Sequence, residues 1–324
     1  MIFSTLLFAF GKSYLILFLA RAVQGIGSAC AATGGMGMLA QQYSDDKQRA
    51  RYMGIAMGGM ALGLLIGAPY GGAMYDIFHG KEICFLILAG LGVLGVGLQL
   101  LVLPPKLEFH EHTSESTSMR KLLMDPRILI AAGSIFVGNL GLGVLSPGLQ
   151  LWMVDKWNSS AFELGVVFFP SSLAYLIGTT FVPSISIKLG RWRCVLFALP
   201  IIAICLSFVS FAPAIFWLFI PITVIGICIS FIDSAMIPLI THMAYIKHKD
   251  ETNAYAISDA GLSIAFFIAP FASGPLVQTI GFQWTTWAFA IGILCFAPLA
   301  LLLRKPSKGE RLQETSITSS VTKM

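Results

Sequence analysis

Charge is what this sequence has least of: Asp, Glu, Lys and Arg together make up 11% of its 324 residues, against 56% hydrophobic. A water-soluble domain covers itself with about 25% charged residues, so this chain cannot coat a globule with polar groups. With a mean hydropathy of +0.80 it reads as a polytopic membrane protein. That excludes a soluble enzyme, a nucleic-acid reader and a disordered adaptor, each of which needs polar surface, and the formal charge of +5 is no nucleic-acid signal. Cysteine is sparse as well. Cys30, Cys84, Cys194, Cys205, Cys228 and Cys295 form no Cys-x-x-Cys pair and mostly lie in apolar runs, where a thiol acts as a small hydrophobe, so neither a disulfide framework nor a metal site is expected. The N-terminus lacks the charged stretch and small-residue cleavage site of a signal peptide, which leaves membrane insertion to the spans themselves.

A hydrocarbon core of ~30 Å needs about 20 apolar residues in a helix, and an open sheet cannot satisfy its backbone there. Nine stretches reach or approach that length, near residues 14–42, 52–75, 84–103, 127–153, 162–187, 195–212, 214–241, 254–277 and 285–303. The expected fold class is therefore all-α. The loops 44–51, 104–127, 188–193, 242–251 and the tail from 304 hold 17 of the 21 Lys and Arg; the opposite loops hold only Lys12, Lys81 and Lys156, and Arg21 lies within a span. The positive-inside rule places the first set, with the C-terminal tail, in the cytosol.

Residues 1–10 read as membrane core but are too few to cross, and an internal repeat accounts for them. Slid by 201 residues without a gap, Phe10 meets Phe211, Leu17 and Phe18 meet Leu218 and Phe219, and Gly25 meets Gly226. Ala68 and Pro69 meet Ala269 and Pro270, Gly80 meets Gly281, and Pro105 meets Pro306. Both copies have the same topology, as in transporters whose halves are related by an axis along the membrane normal. Residues 127–201 have no counterpart in the first copy, so the sequence is expected to represent a twelve-helix protein without its first two helices and most of its third. The expected divisions are a partial N-terminal half over 1–103, a cytosolic inter-half loop over 104–126, a six-helix C-terminal half over 127–303 and a cytosolic tail over 304–324.

An ionisable group at membrane depth costs about 3 kcal/mol on insertion scales and marks a functional site by default. Three such groups stand out: Arg21, Asp233 and Asp259. Asp233 and Asp259 lie on consecutive antiparallel spans at similar depth, and their repeat mates are Ala32 and Gly58, so the acids belong to one half alone. Carboxylates in a low-dielectric cavity can hold a proton and release it when a cation arrives, which is the chemistry of exchange. Tyr255, one turn from Asp259, can offer a ring face or hydroxyl to an ammonium. Asn139, Ser146 and Gln150 are candidates for a cavity wall. Arg21 is expected to be buried in a coupling or gating role, against the alternative of snorkelling to the interface. Gly59, Gly63, Gly67 and Gly71 recur at a spacing of four and run into Pro69 and Gly72, a ridge expected to pack tightly and to act as a hinge or seal; the second copy keeps Gly261, Ala265, Ala269 and Ser273.

Other motifs are weak. Gly11-Lys12-Ser13 ends like a phosphate loop, but Leu6 stands where the upstream glycine is required, so no ATP site is expected. His110, His112, Glu108 and Glu111 lie in the polar inter-half loop, where a solvated linker is expected rather than a metal site. Asn158-Ser159-Ser160 is a glycosylation sequon on the non-cytosolic side. No cofactor is expected.

LARAVQGIG (19–27) and GLLIGAPYGG (63–72) resemble the arginine motif of the fourth helix and the antiporter motif of the fifth in the major facilitator superfamily. QQYSDDKQRARYMGIAMGGMALG, DPRILIAAGSI (125–135), FIDSAMIP (231–238) and YAISD (255–259) are similar to the vesicular amine transporters, and closest to their monoamine branch. The resemblance implies a proton-coupled antiporter that loads cationic amines into storage or synaptic vesicles, with Asp233 and Asp259 on the family's acids of its tenth and eleventh helices. This chain departs from the family at Leu145-Ser146-Pro147, where the family carries a glutamate before the proline. The family's amine-binding aspartate and its lysine of the first two helices fall outside these 324 residues. Three readings stay open here: the amine antiporter, a shortened non-transporting form of it, and an antiporter of acetylcholine, polyamines or xenobiotic cations.

Overall fold

The computed structural model describes residues 1–42, 46–102, 122–248 and 251–304. Every element among them is helical: α1 (Ile2–Phe10), α2 (Tyr14–Gln42), α3 (Asp46–Phe78), α4 (Lys81–Val102), α5 (Pro126–Trp157), α6 (Ala161–Val166), α7 (Phe169–Leu189), α8 (Arg191–Val209), α9 (Ile215–His248), α10 (Glu251–Ile280), α11 (Phe282–Phe296) and a final 3-10 helix (Ala297–Arg304). Among the described residues eight segments are long and apolar enough to cross a membrane, and they match eight of the nine expected spans. The span expected over 52–75 is the single helix α3, whose 33 residues suffice to cross at about 1.5 Å each. Large side chains such as Phe10, Ile26, Leu64, Phe181, Phe208, Phe216 and Phe271 are all more than half exposed, an apolar surface that suits lipid and not water.

Helix boundaries obey the repeat. α2 begins at Tyr14 and α9 at Ile215; α4 begins at Lys81 and α11 at Phe282, both separated by the 201 residues of the sequence register. The turn before α11 is made by Gly281 at φ 85° and ψ 162°, a region open essentially to glycine alone, and its mate Gly80 occupies the matching turn. Proline sets two further boundaries. The span expected over 162–187 breaks after Val166 because Pro170 has no N–H to give that residue's carbonyl, and Val167 and Phe168 form a turn between α6 and α7. Pro298 likewise denies a bond to Leu294, and the last span tightens from α11 into its 3-10 turn at Ala297.

The chain forms two compact units, Met1–Ser114 with Ser159–Phe169, and Glu115–Asn158 with Pro170–Met324. In the first, α1 lies on α4, where Phe8 and Phe85 stack at 5.3 Å, and α3 holds the short helix α6. The contact between α3 and α6 departs from the glycine ridge read from the sequence. A Cβ added at Gly59, Gly63, Gly67 or Gly71 would meet open space, whereas one at Gly72 would lie 2.3 Å from the Ala161 carbonyl oxygen and one at Gly165 would lie 2.3 Å from that of Ala68. The face of α3 that meets α6 is therefore Ala68, Gly72 and Asp76. It has the same spacing of four but is rotated by about 100° from the ridge, since one residue along a helix is one such step.

Asp76 completes that face. Its two carboxylate oxygens accept from the N–H groups of Ala161 at 3.2 Å and Phe162 at 2.8 Å, the free amides that open α6. Ser160 and Glu163 form a reciprocal capping box on the same turn. Hydrogen bonds to a charged group are worth about 1.5–3 kcal/mol each, so Asp76→Ala is expected to lower stability by about 2 kcal/mol or more, and Asp76→Asn, which keeps one acceptor, by roughly half as much. Thermal denaturation of the two variants beside the wild type checks the order; equal midpoints for all three would sink the capping role.

The second unit is built around α5, 67% of whose span is buried, against 22–44% for α8, α9, α10 and the α11 span. Its Leu145, Leu149 and Met153 are fully enclosed. Small residues let the neighbours close on it: a Cβ at Gly261 would lie 2.9 Å from the Ala132 carbonyl, and one at Gly143 would lie 2.8 Å from Ala269. Ala265, Ala269 and Ser273 are fully buried, so in the second copy the small-residue ridge is a packing surface.

Candidate functional site

Asp233 sits near the middle of α9 and is 4% exposed. A carboxylate at such depth is tolerable only if its oxygens are occupied. Asn139 of α5 donates from Nδ2 to Oδ1 at 3.2 Å, and Tyr175 of α7 donates from its hydroxyl to Oδ2 at 3.2 Å. The Asn139 amide also donates to the Ile135 carbonyl one turn back, at 3.0 Å, which fixes its rotamer. Two neutral donors hold the acid, and no cation is paired with it among the described residues, so a proton or a cationic ligand can supply the missing charge.

Backbone proximity makes this arrangement feasible. A Cβ at Gly178 would lie 2.0 Å from the Ser230 hydroxyl, and one at Gly226 would lie 2.4 Å from the Ser171 carbonyl, so α7 and α9 run against each other at two glycines. Tyr175 lies between the two contact points on α7 and Asp233 one turn beyond Ser230 on α9; the long phenol bridges the remaining distance to the carboxylate, where its hydroxyl donates at 3.2 Å.

Asp259 of α10 is half-buried, and Tyr255, one turn earlier on the same face, interacts with it electrostatically. Asp233 of α9 is thus tied to α5 and α7, while Asp259 shares a face of α10 with Tyr255. Asn139, Ser146 and Gln150 follow one another on α5 at intervals of seven and four, a single face; Asn139 is buried against Asp233, and Ser146 and Gln150 are half-buried. Pro147 interrupts the α5 ladder within that face.

Tyr175 carries little signal in the sequence. Its signal was a lone tyrosine inside an apolar span, which periodicity alone cannot tell from an interfacial anchor. Asp76 lies near the end of its helix, where a carboxylate reads as solvated.

Arg21 differs from the expectation of burial. It is exposed on α2, donates to the Gln24 side chain at 2.9 Å and lies 5.9 Å from the Phe8 ring centroid. Among the described helices α2 packs on α1 and α3, which supply no carboxylate to it. The Asn158 sequon lies at the end of α5: Asn158 is exposed and left-handed at φ 50°, while the Ser160 hydroxyl caps α6. Glu108, His110, Glu111 and His112 lie outside the described residues; among the described residues no group of three or more His, Cys, Asp or Glu could hold a metal ion.

The family model described as Major Facilitator Superfamily matches residues 1–147 and 131–323. The chain is 41% identical over 311 residues to a synaptic vesicular amine transporter of Rattus norvegicus, covering 96% of this chain and 60% of that relative. It is 42% identical over 311 residues to a chromaffin granule amine transporter of Rattus norvegicus, covering 96% and 59%. Similarity to a vesicular acetylcholine transporter of Drosophila melanogaster is lower, 33% over 315 residues, covering 94% and 54%. The chain therefore spans about 60% of the length of the amine transporters it matches.

Proposed function

Because the chain belongs to the major facilitator superfamily, we propose that it is a proton-coupled antiporter of cationic amines, monoamines first among them, serving the membrane of storage or synaptic vesicles. The observation that carries the reading is the buried Asp233, held by Asn139 and Tyr175, with a second carboxylate, Asp259, half-buried on the next helix. Identity supports amines over acetylcholine, at 41–42% against 33%.

The exchange follows from the site. A protonated carboxylic acid at Asp233 or Asp259 gives up its proton when an ammonium approaches, and the carboxylate so formed balances the cation; when the amine leaves, the proton returns from the acidic side. Tyr175 and Asn139 keep both Asp233 oxygens in place through the cycle, and Tyr255 offers its ring or hydroxyl to the cation between the two acids. Ser146 stands where the resemblance implies a glutamate, so among the described residues Asp233 and Asp259 are the acids of the site. The substrate crosses unaltered, so no enzymatic step and no cofactor are involved. Arg21 assists coupling from the α2 side, the glycine stretch of α3 from Gly59 to Gly72, with Pro69, serves as the hinge or seal, and the loops rich in Lys and Arg, with the C-terminal tail, face the cytosol.

The test is uptake of serotonin into proteoliposomes with an acidic lumen. Gradient-dependent uptake that serotonin itself saturates and acetylcholine leaves untouched is the expected result. Asp259→Asn is expected to abolish the dependence on the gradient; uptake unchanged in that variant would refute the coupling role.

A further inference from the structure

At the end of α5 the ammonium of Lys156 lies 4.3 Å from the Trp152 ring centroid and 4.9 Å from that of Trp157, and it donates to the Ala212 carbonyl at 2.9 Å. The two indoles meet edge to face at 4.9 Å, and Phe282 stacks on Trp152 from behind, also at 4.9 Å and 21°. Two aromatic faces and one carbonyl oxygen are the recognition set for a primary ammonium ion. The cage contains no carboxylate among these contacts, so its occupant is held without a full counter-charge and leaves readily.

The repeat supplies an independent observation. Ala212, in the loop between α8 and α9, is the mate of Gly11 in the loop between α1 and α2, and the Gly11 carbonyl accepts from the ammonium of Lys81. The two lysines are not mates: Lys81 opens α4, whereas Lys156 ends α5. What recurs is the acceptor, a carbonyl between two helices that draws an ammonium by whatever route the chain provides. Lys156 is exposed, so its flexible stem is free to swing out of the second cage.

We propose that Trp152, Trp157 and the Ala212 carbonyl form an ammonium-binding site of which Lys156 is the resident, displaceable occupant, and that a primary alkylammonium or arylalkylammonium takes its place when it withdraws. That this ligand is the cargo, held at the lysine-poor face of the second unit, rests on the amine reading above; the cage itself does not.

The first test uses the wild-type chain in lipid nanodiscs. Acylation of Lys156 by an amine-reactive ester, read by peptide mass spectrometry, is expected to rise about threefold or more when trimethylammonium chloride, which keeps one N–H for the carbonyl and forms no stable amide, replaces an equal concentration of sodium chloride, with Lys12 unchanged. In K156A, n-butylammonium is expected to quench tryptophan emission saturably at about tenfold lower concentration than in wild type, and K156A/W152L to lose that response. Equal Lys156 acylation in the two salts overturns the proposal, as does quenching of K156A by n-butanol as strong as that by n-butylammonium. The acylation arm needs no variant and decides the matter if K156A fails to fold. Butylammonium entering the cage of a chain that takes up no amine would leave the site standing and remove the cargo reading.

Discussion

Asp233→Asn is expected to reduce gradient-driven amine uptake by about a hundredfold or more, the range lost when a positioned proton-transfer group is removed. The substitution is nearly isosteric and keeps a carbonyl oxygen for one of the two donors. It places an NH2 group against the other, Asn139 or Tyr175, in a site where both already donate. The variant therefore folds with a modest loss of stability, since one buried polar contact is mismatched at a cost of about 1–3 kcal/mol. What it cannot do is carry a proton or balance a cation. Tyr175→Phe is the comparator: it removes one donor, leaves the carboxylate, and is expected to weaken uptake by about tenfold while the dependence on the gradient persists. Uptake assays on both variants, normalised to folded protein by thermal denaturation, separate the roles. Gradient-dependent uptake in Asp233→Asn at more than a tenth of the wild-type rate would show that protons travel by another group.

Gly72→Ala, matched by Gly165→Ala across the same contact, is expected to be among the most disruptive single-methyl additions in the first unit. Its Cβ would be 2.3 Å from the Ala161 carbonyl oxygen and 2.8 Å from the Phe162 Cα, both backbone atoms that no rotamer change can move. Either α6 lifts from α3, stretching the bonds to Asp76, or the helices separate along their length; overpacking of this kind costs about 1–3 kcal/mol. Gly71→Ala, one residue away, meets nothing within 4 Å and gains helix propensity of up to about 1 kcal/mol. The two neighbouring substitutions should therefore shift the thermal midpoint in opposite directions. A shared direction would mean that α3 presents a different face to α6 from the one described.

The contrast between these two glycines shows where a sequence stops being informative. A spacing of four marks a stripe on a helix, and Gly59, Gly63, Gly67 and Gly71 make a stripe of that kind, but which stripe meets a neighbour depends on the rotation of the helix against it. Asp76, Gly72 and Ala68 form an equally regular stripe that was hidden because its members are chemically unlike. Arg21 shows the same limit from the other side. Its place inside an apolar run was legible; its partners, Gln24 and Phe8, were set by which helices lie beside α2.

By itself the sequence determined the membrane class, the helical fold, the repeat of 201 residues and the three ionisable positions in its spans, because hydropathy, charge placement and proline or glycine breaks act within a few residues of chain. The matching starts of α2 and α9 and of α4 and α11 follow from those local signals. Only the tertiary structure decided what the acids touch. Asn139 and Tyr175 reach Asp233 from 94 and 58 residues away, and Asp76 caps amides 85 and 86 residues further on. Contacts between such distant residues arise from how helices rotate and close on one another at Gly178, Gly226 and Gly72, and no pattern confined to one helix records them.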